Sequence, residues 1–201
     1  MSDPDILAEL ASEAKRLVAL GFLACTAGNL SARRPDGLVA MSPSGIDKGS
    51  LRPQDFILLG ADGQPIPPDA RKPSDETRLH LALYAAGVGA AVCHGHPPYA
   101  VALSMGESSV VRFHGIEMQK AFAGVSSHEQ ECLLPVIDNS QDMGDLSRRA
   151  RAALRPEMPA ILVRGHGVYA WGRSVSEAGR HLEAVEWLCR IVHLCRSMPP
   201  A

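Results

Sequence analysis

The chain has no Cys-x-x-Cys pair, no excess of charge of one sign and no long apolar run. Its five cysteines (Cys25, Cys93, Cys132, Cys189 and Cys195) are odd in number and widely separated, which points to reduced cytosolic thiols rather than a disulfide frame. Lys and Arg number 20 against 22 Asp and Glu, for a formal net charge of -2, so no basic face is available for nucleic acid. A small anion needs only a local site. No apolar stretch approaches the ~20 residues that cross a bilayer. The opening Ser2-Asp3-Pro4 lacks the basic start of a signal peptide, so a cytoplasmic protein that uses no membrane is expected. Internal repeats, low-complexity tracts and linkers are also lacking. At 201 residues one domain over 4–197 is the economical expectation, with enough chain to bury roughly 70% of its unfolded surface.

What is present reads as alternating helices and strands. Ile6, Leu7, Leu10, Ala14, Leu17 and Val18 follow helical spacing from Pro4 to Leu20, and Gly21 is placed to end that helix. Leu30–Arg34 and Leu38–Ser42 flank Pro35-Asp36-Gly37, which predicts a hairpin, and Phe56–Leu59 a further strand. The Pro-rich stretch from Gln64 to Pro73 reads as extended loop. Ser74 can cap a helix to about Gly87, followed by a strand from Ala90 to His94. The same order recurs with a helix from Asp142 to Leu154, a strand from Ala160 to Val163 and extended chain from Gly167 to Trp171. Ser174 and Glu177 form a capping box for a closing helix to about Arg196. The pattern is that of a single α/β domain.

Three histidines stand out by context. In extended chain, residues i and i+2 point to the same side roughly 6.6 Å apart, so His94 and His96 can converge on one ion. His166 lies between Gly165 and Gly167 just after another strand, where the backbone can bend sharply. Three neutral imidazoles with one open position is the donor set of a catalytic zinc, one ion per subunit. A His-x-His pair alone arises readily by chance. The separate Gly-flanked third histidine is what gives the set weight. His80, His114, His128, His181 and His193 have no such context and read as ordinary core or surface residues.

Three short segments could cradle a phosphate: Thr26-Ala27-Gly28-Asn29, Ser42-Pro43-Ser44-Gly45 and Pro73-Ser74. Each offers hydroxyls or free amides, small residues allow close approach, and Lys48 could supply formal charge. Any one of them is ordinarily only a turn.

Read in order, TAGNLSAR, SPSGIDKG, KPSDET, HGH, GIEMQKAFAG, NSQDM and RGHGVYAWG resemble the class II aldolase/adducin family over nearly the whole chain. The resemblance implies a three-layer α/β/α domain with a central, mostly antiparallel sheet, and a homotetramer with active sites near subunit interfaces. It implies metal ligation by His94, His96 and His166, with Gly28, Asn29, Ser44, Gly45 and Ser74 around the phosphate of a small phosphorylated sugar. Glu76 matches the carboxylate that aldolases of the family use for proton transfer, whereas its dehydratases resemble this chain at Glu117. The expected activity is a lyase reaction that removes water from a sugar phosphate. Aldol cleavage or epimerisation remains open, as does a non-catalytic, adducin-like assembly role. Position 95 is Gly where the family more often has Thr or Ser, a departure expected to loosen the strand slightly.

Overall fold

A computed structural model of the chain describes residues 3–67, 69 and 71–198. The first helix, α1 (Asp3–Ala19), stops where Gly21 takes a φ of 80°, which an L side chain adopts poorly. Strands β1 (Asn29–Arg33) and β2 (Val39–Met41) form the expected hairpin, turned by Gly37 at φ 85°. Next come β3 (Ile57–Leu59), α2 (Thr77–Ala85), β4 (Ala91–Gly95), α3 (Pro98–Ser104) and β5 (Val110–Phe113). A 3-10 turn over Glu117–Ala121 precedes β6 (Cys132–Ile137), α4 (Met143–Ala152), β7 (Ala160–Val163), β8 (Gly167–Gly172) and α5 (Val175–Ser197).

One eight-stranded sheet runs in the order β3-β2-β1-β4-β8-β7-β6-β5. Every neighbouring pair is antiparallel except β6 with β7. Strand alternation sorts the core into two layers. Leu30, Ala91, Cys93, Leu162, Val168 and Ala170 pack on the face covered by α1, α3 and α5. Val39, Met41, Val92, Ile161, Val163, Tyr169 and Trp171 pack on the face covered by α2 and α4. The result is the expected three-layer α/β/α arrangement. Among the described residues no helix is long and apolar enough to cross a membrane.

Local signals hold with small shifts. Ser174 Oγ accepts the Glu177 N–H at 3.2 Å, but Glu177 turns its carboxylate to the Arg173 N–H at 2.6 Å instead of closing the box. Helix α2 begins at Thr77, three residues after Ser74, whose Oγ accepts the Glu76 N–H at 3.3 Å. Gly95 keeps its place in the strand ladder. The residue sits buried within β4, paired with Val168, and a Cβ there would lie 3.0 Å from the Phe22 carbonyl and 3.3 Å from Leu182. A side chain at 95 would need these neighbours to give by a few tenths of an ångström.

Candidate active site

Register brings the site together. Asn29 on β1, His94 on β4 and Tyr169 on β8 lie side by side across three neighbouring strands. All three side chains face the α2 layer, because each is an even number of residues from a side chain in that layer or pairs with one that is. His96 continues past the end of β4, and His166 occupies the turn between β7 and β8, with Gly165 at φ 62°. The ligand-capable atoms of His94, His96 and His166 all lie within 4.8 Å of one another.

The donor chemistry of this cluster fits a cation. His94 Nδ1 donates to the Val168 carbonyl at 2.9 Å, which fixes the tautomer and leaves the Nε2 lone pair facing inward. His94 Nε2 and His96 Nε2 approach to 2.9 Å. Burial pushes His94 down to about 3, the neighbouring imidazoles add to the effect and Glu76 opposes it. Burial also lowers His96, helped by His166. Neutral imidazoles are the ligating form. Close packing depends on Gly167, where a Cβ would fall 2.3 Å from the Gly95 carbonyl, 2.7 Å from the His96 ring and 3.0 Å from the His94 ring.

Glu76, at the entry of α2, reaches into the same cluster. Its carboxylate lies 3.2 Å from His94 Nε2 and 3.0 Å from His166 Nε2, and it accepts a 2.6 Å hydrogen bond from Asn29 Nδ2. Burial opposes its ionisation, but His94, His166 and Asn29 outweigh burial and hold the carboxyl well below the usual range. Asn29 Nδ2 also donates to Ser74 Oγ at 3.0 Å, linking the first and third of the small-residue loops. The second loop joins through the Ser44 N–H, which donates to the Lys72 carbonyl at 2.9 Å. The three loops thus meet. A cleft of about 200 Å³ is lined by Gly28, Asn29, Ser44, Gly45, Lys48, Ser74, Glu76 and His96 among others. Gly28 has φ 75°, and a Cβ there would stand 2.8 Å from the His94 carbonyl.

Lys48 is buried at the edge of this cleft, its ammonium donating to the carbonyls of Thr26 at 3.0 Å and Ile46 at 2.8 Å. Burial lowers its pKa, against the pull of Asp47. Glu117 is not brought to the cleft of its own chain. It lies exposed on the 3-10 turn, 2.5 Å from Lys120 and 3.7 Å from His128, and the Lys120 ammonium holds its carboxyl below the usual range.

The other histidines largely keep their ordinary readings. His181 is buried and satisfied, with Nδ1 on the Trp171 carbonyl and Nε2 accepting the Ala123 N–H. His114 and His128 are exposed, and His193 packs against Tyr99. His80 is fully buried behind the site, 2.7 Å from Ser31 Oγ. Sequence reasoning passed over Tyr169, whose ring stacks on His94 at 4.0 Å and 14°. The signal that could have found it is strand parity, since Tyr169 and Trp171 alternate with Val168 and Ala170. Burial and the nearby Glu76 charge raise its phenol well above the ordinary value.

Comparison with known proteins places the whole chain. The chain is 40% identical over 184 residues to the methylthioribulose-1-phosphate dehydratase of Methylococcus capsulatus, covering 90% of this chain and 89% of that one. It is 42% identical over 195 residues to the protein of the same name from Acidiphilium cryptum, covering 89% of each. Among solved structures, the L-fuculose-1-phosphate aldolase of Thermus thermophilus superposes with a TM-score of 0.80 at 27% identity, covering 97% of both chains. The family described as class II aldolase and adducin N-terminal domain matches residues 8–193. With that match spanning nearly all of the described fold, the chain belongs to the class II aldolase and adducin N-terminal domain family.

Proposed function

We propose that this chain is a hydro-lyase that removes water from 5-methylthioribulose 1-phosphate to give 2,3-diketo-5-methylthiopentyl 1-phosphate, a step of methionine salvage. The observation that carries the reading is the convergence of three small-residue loops, Glu76 and His96 on one small cleft, with His94 and His166 clustered on His96. The relatives' names supply the substrate. Zinc is the ion that best suits three neutral imidazoles with an open position. We place the enzyme in the cytoplasm, in keeping with five free cysteines.

A zinc ion held by His94, His96 and His166 would supply Lewis-acid charge to the substrate carbonyl and the adjacent hydroxyl oxygen. Backbone amides of Gly28 and Gly45, the hydroxyls of Ser44 and Ser74 and the Lys48 ammonium hold the phosphate at the non-reacting end. Asn29 braces Ser74 and Glu76 between the two halves of the cleft. A carboxylate then removes the hydrogen from the carbon beside the carbonyl. The electron pair moves toward the next carbon, whose hydroxyl leaves as water after taking a proton from the same carboxylic acid. The resulting enol relaxes to the diketone. We assign this acid and base role to Glu117 and a supporting role to Glu76. Because Glu117 is exposed and lies away from its own cleft, the assignment requires a neighbouring subunit of a homotetramer to deliver it.

One observation favours a second reading. Glu76 already stands 3.0 Å and 3.2 Å from two of the histidines, where a retro-aldol cleavage would use it as the base. The deciding experiment offers methylthioribulose 1-phosphate beside fuculose and rhamnulose 1-phosphates and scores water loss and carbon-bond cleavage separately. Diketone formation from the methylthio sugar supports the dehydratase. Cleavage of the other two without dehydration overturns it.

A further inference from the structure

Glu76 has more partners than it can keep. Its carboxylate accepts from Asn29 Nδ2 and faces His166 Nε2 at 3.0 Å and His94 Nε2 at 3.2 Å, and the two imidazole nitrogens are the ones that would hold a cation. A lone pair committed to a metal cannot also carry a proton to a carboxylate. In the loaded protein neither imidazole nitrogen offers Glu76 a proton, and of these neighbours only the Asn29 amide donates to it.

A replacement donor stands beside it. Tyr169 is fully buried, its hydroxyl has no hydrogen-bond partner among the described residues, and its ring stacks on the imidazole whose Nε2 lies 3.2 Å from the Glu76 carboxylate. A buried hydroxyl left unpaired costs roughly 1–3 kcal/mol, so a state that gives it an acceptor is favoured. The same ring lies flat on His94 at 4.0 Å, and His80 meets its edge at 5.9 Å and 76°. His80 is anchored through Ser31 Oγ, 2.7 Å away, which is in turn 2.7 Å from the Tyr84 hydroxyl. The ring is thereby clamped between a histidine of the metal cluster and a fixed polar chain behind it, and only its hydroxyl is uncommitted.

We propose that Tyr169 is a positioning residue: its ring sets the plane of His94, and its hydroxyl joins the Asn29 amide in holding Glu76 once the histidines are committed to a cation. The inference rests on the reading of the three histidines as metal ligands and not on the identity of the sugar.

The test is a double-mutant cycle on cobalt(II) binding, followed by visible absorption, with the full-length wild type, Tyr169→Phe, Glu76→Gln, the double variant and Tyr169→Leu. Tyr169→Phe keeps the ring, so it should fold and retain the cobalt spectrum while weakening affinity by about threefold to tenfold, the scale of an outer-shell contact. In the Glu76→Gln background the same change should shift affinity by less than about twofold, because no carboxylate remains to be held. Tyr169→Leu removes the ring and should weaken binding about tenfold further with altered cobalt bands. Equal effects of Tyr169→Phe with and without the Glu76 carboxylate, or wild-type affinity in Tyr169→Phe, would overturn the hydroxyl's role. Wild-type affinity and spectrum in Tyr169→Leu would overturn the ring's. As a second readout, Tyr169→Phe should lower kcat on methylthioribulose 1-phosphate by roughly tenfold or more at unchanged KM. If the wild type does not turn over that sugar, the substrate assignment fails while the cobalt cycle still decides this inference.

Discussion

At Gly167 the absence of a side chain is what allows three imidazoles to face one point. A methyl group there would meet the Gly95 carbonyl at 2.3 Å and both neighbouring imidazoles at or below 3.0 Å, and two of these obstacles are strand backbone or tightly packed ring. Gly167→Ala should therefore weaken zinc binding by about tenfold or more while α-helical circular dichroism is retained. Wild-type zinc content would show that the strands yield more easily than their packing implies. Removing the proposed ligands directly is the sharper perturbation: His94→Ala, His96→Ala and His166→Ala should each lose metal and activity but keep the fold. A full metal complement in any one of them removes that residue from the set. The carboxylates separate by magnitude. General acid and base catalysis contributes roughly 10² to 10⁴-fold, so Glu117→Gln should cost turnover by about that much at normal zinc content, and Glu76→Gln less. The reverse order, with metal retained, would favour Glu76 as the base and retro-aldol chemistry.

At the scale of elements, α2 seals a polar patch under the site, and His80 is a fully buried member of it. Burial pulls His80 down to about 4, against the pull of Glu76. The unfolded chain takes up this proton near pH 6.5 while the native state refuses it until about 4. Stability from this residue is thus fully present above pH 6.5 and falls as pH drops toward 4. In metal-free protein the denaturation midpoint of His80→Gln should decline less steeply across that window than the wild type. Parallel curves would place the acid sensitivity elsewhere.

The elements that were legible in the sequence are those whose signals are local. The Pro35-Asp36-Gly37 turn, the Ser174 cap and the apolar run before His94 each act within a few residues, and each stands where its chemistry put it. Strands β5 and β6 and helix α3 were not legible. Pro135 sits inside β6, where proline ordinarily argues against a strand, and Pro97-Pro98 reads as a breaker although Pro98 opens α3. The histidine set was legible from spacing and flanking glycines. The pairing of Asn29 with Glu76 and the stacking of Tyr169 were not, since they depend on sheet register between segments far apart in the chain.

For the whole molecule, the role proposed for Glu117 would make an oligomer part of the chemistry. If each active site takes histidines from one subunit and Glu117 from another, two inactive variants should complement. Mixing Glu117→Gln with His166→Ala under conditions of subunit exchange should restore activity at about a quarter of the sites in a random tetramer. Full inactivity of the exchanged mixture would confine the reaction to one chain and hand the proton transfer to Glu76.

The burial of Lys48 has a thermodynamic consequence. An amine that its surroundings discourage from holding a proton gains a reason to hold one when a phosphate settles beside it. Anion binding in alkaline solution should then draw hydrogen ions from the buffer. Titration calorimetry with inorganic phosphate should show an apparent heat that changes with the ionisation enthalpy of the buffer, and Lys48→Met should abolish that dependence. The cleft would thus take up a dianion and a proton together, so that the charge it accumulates is smaller than the charge of its ligand.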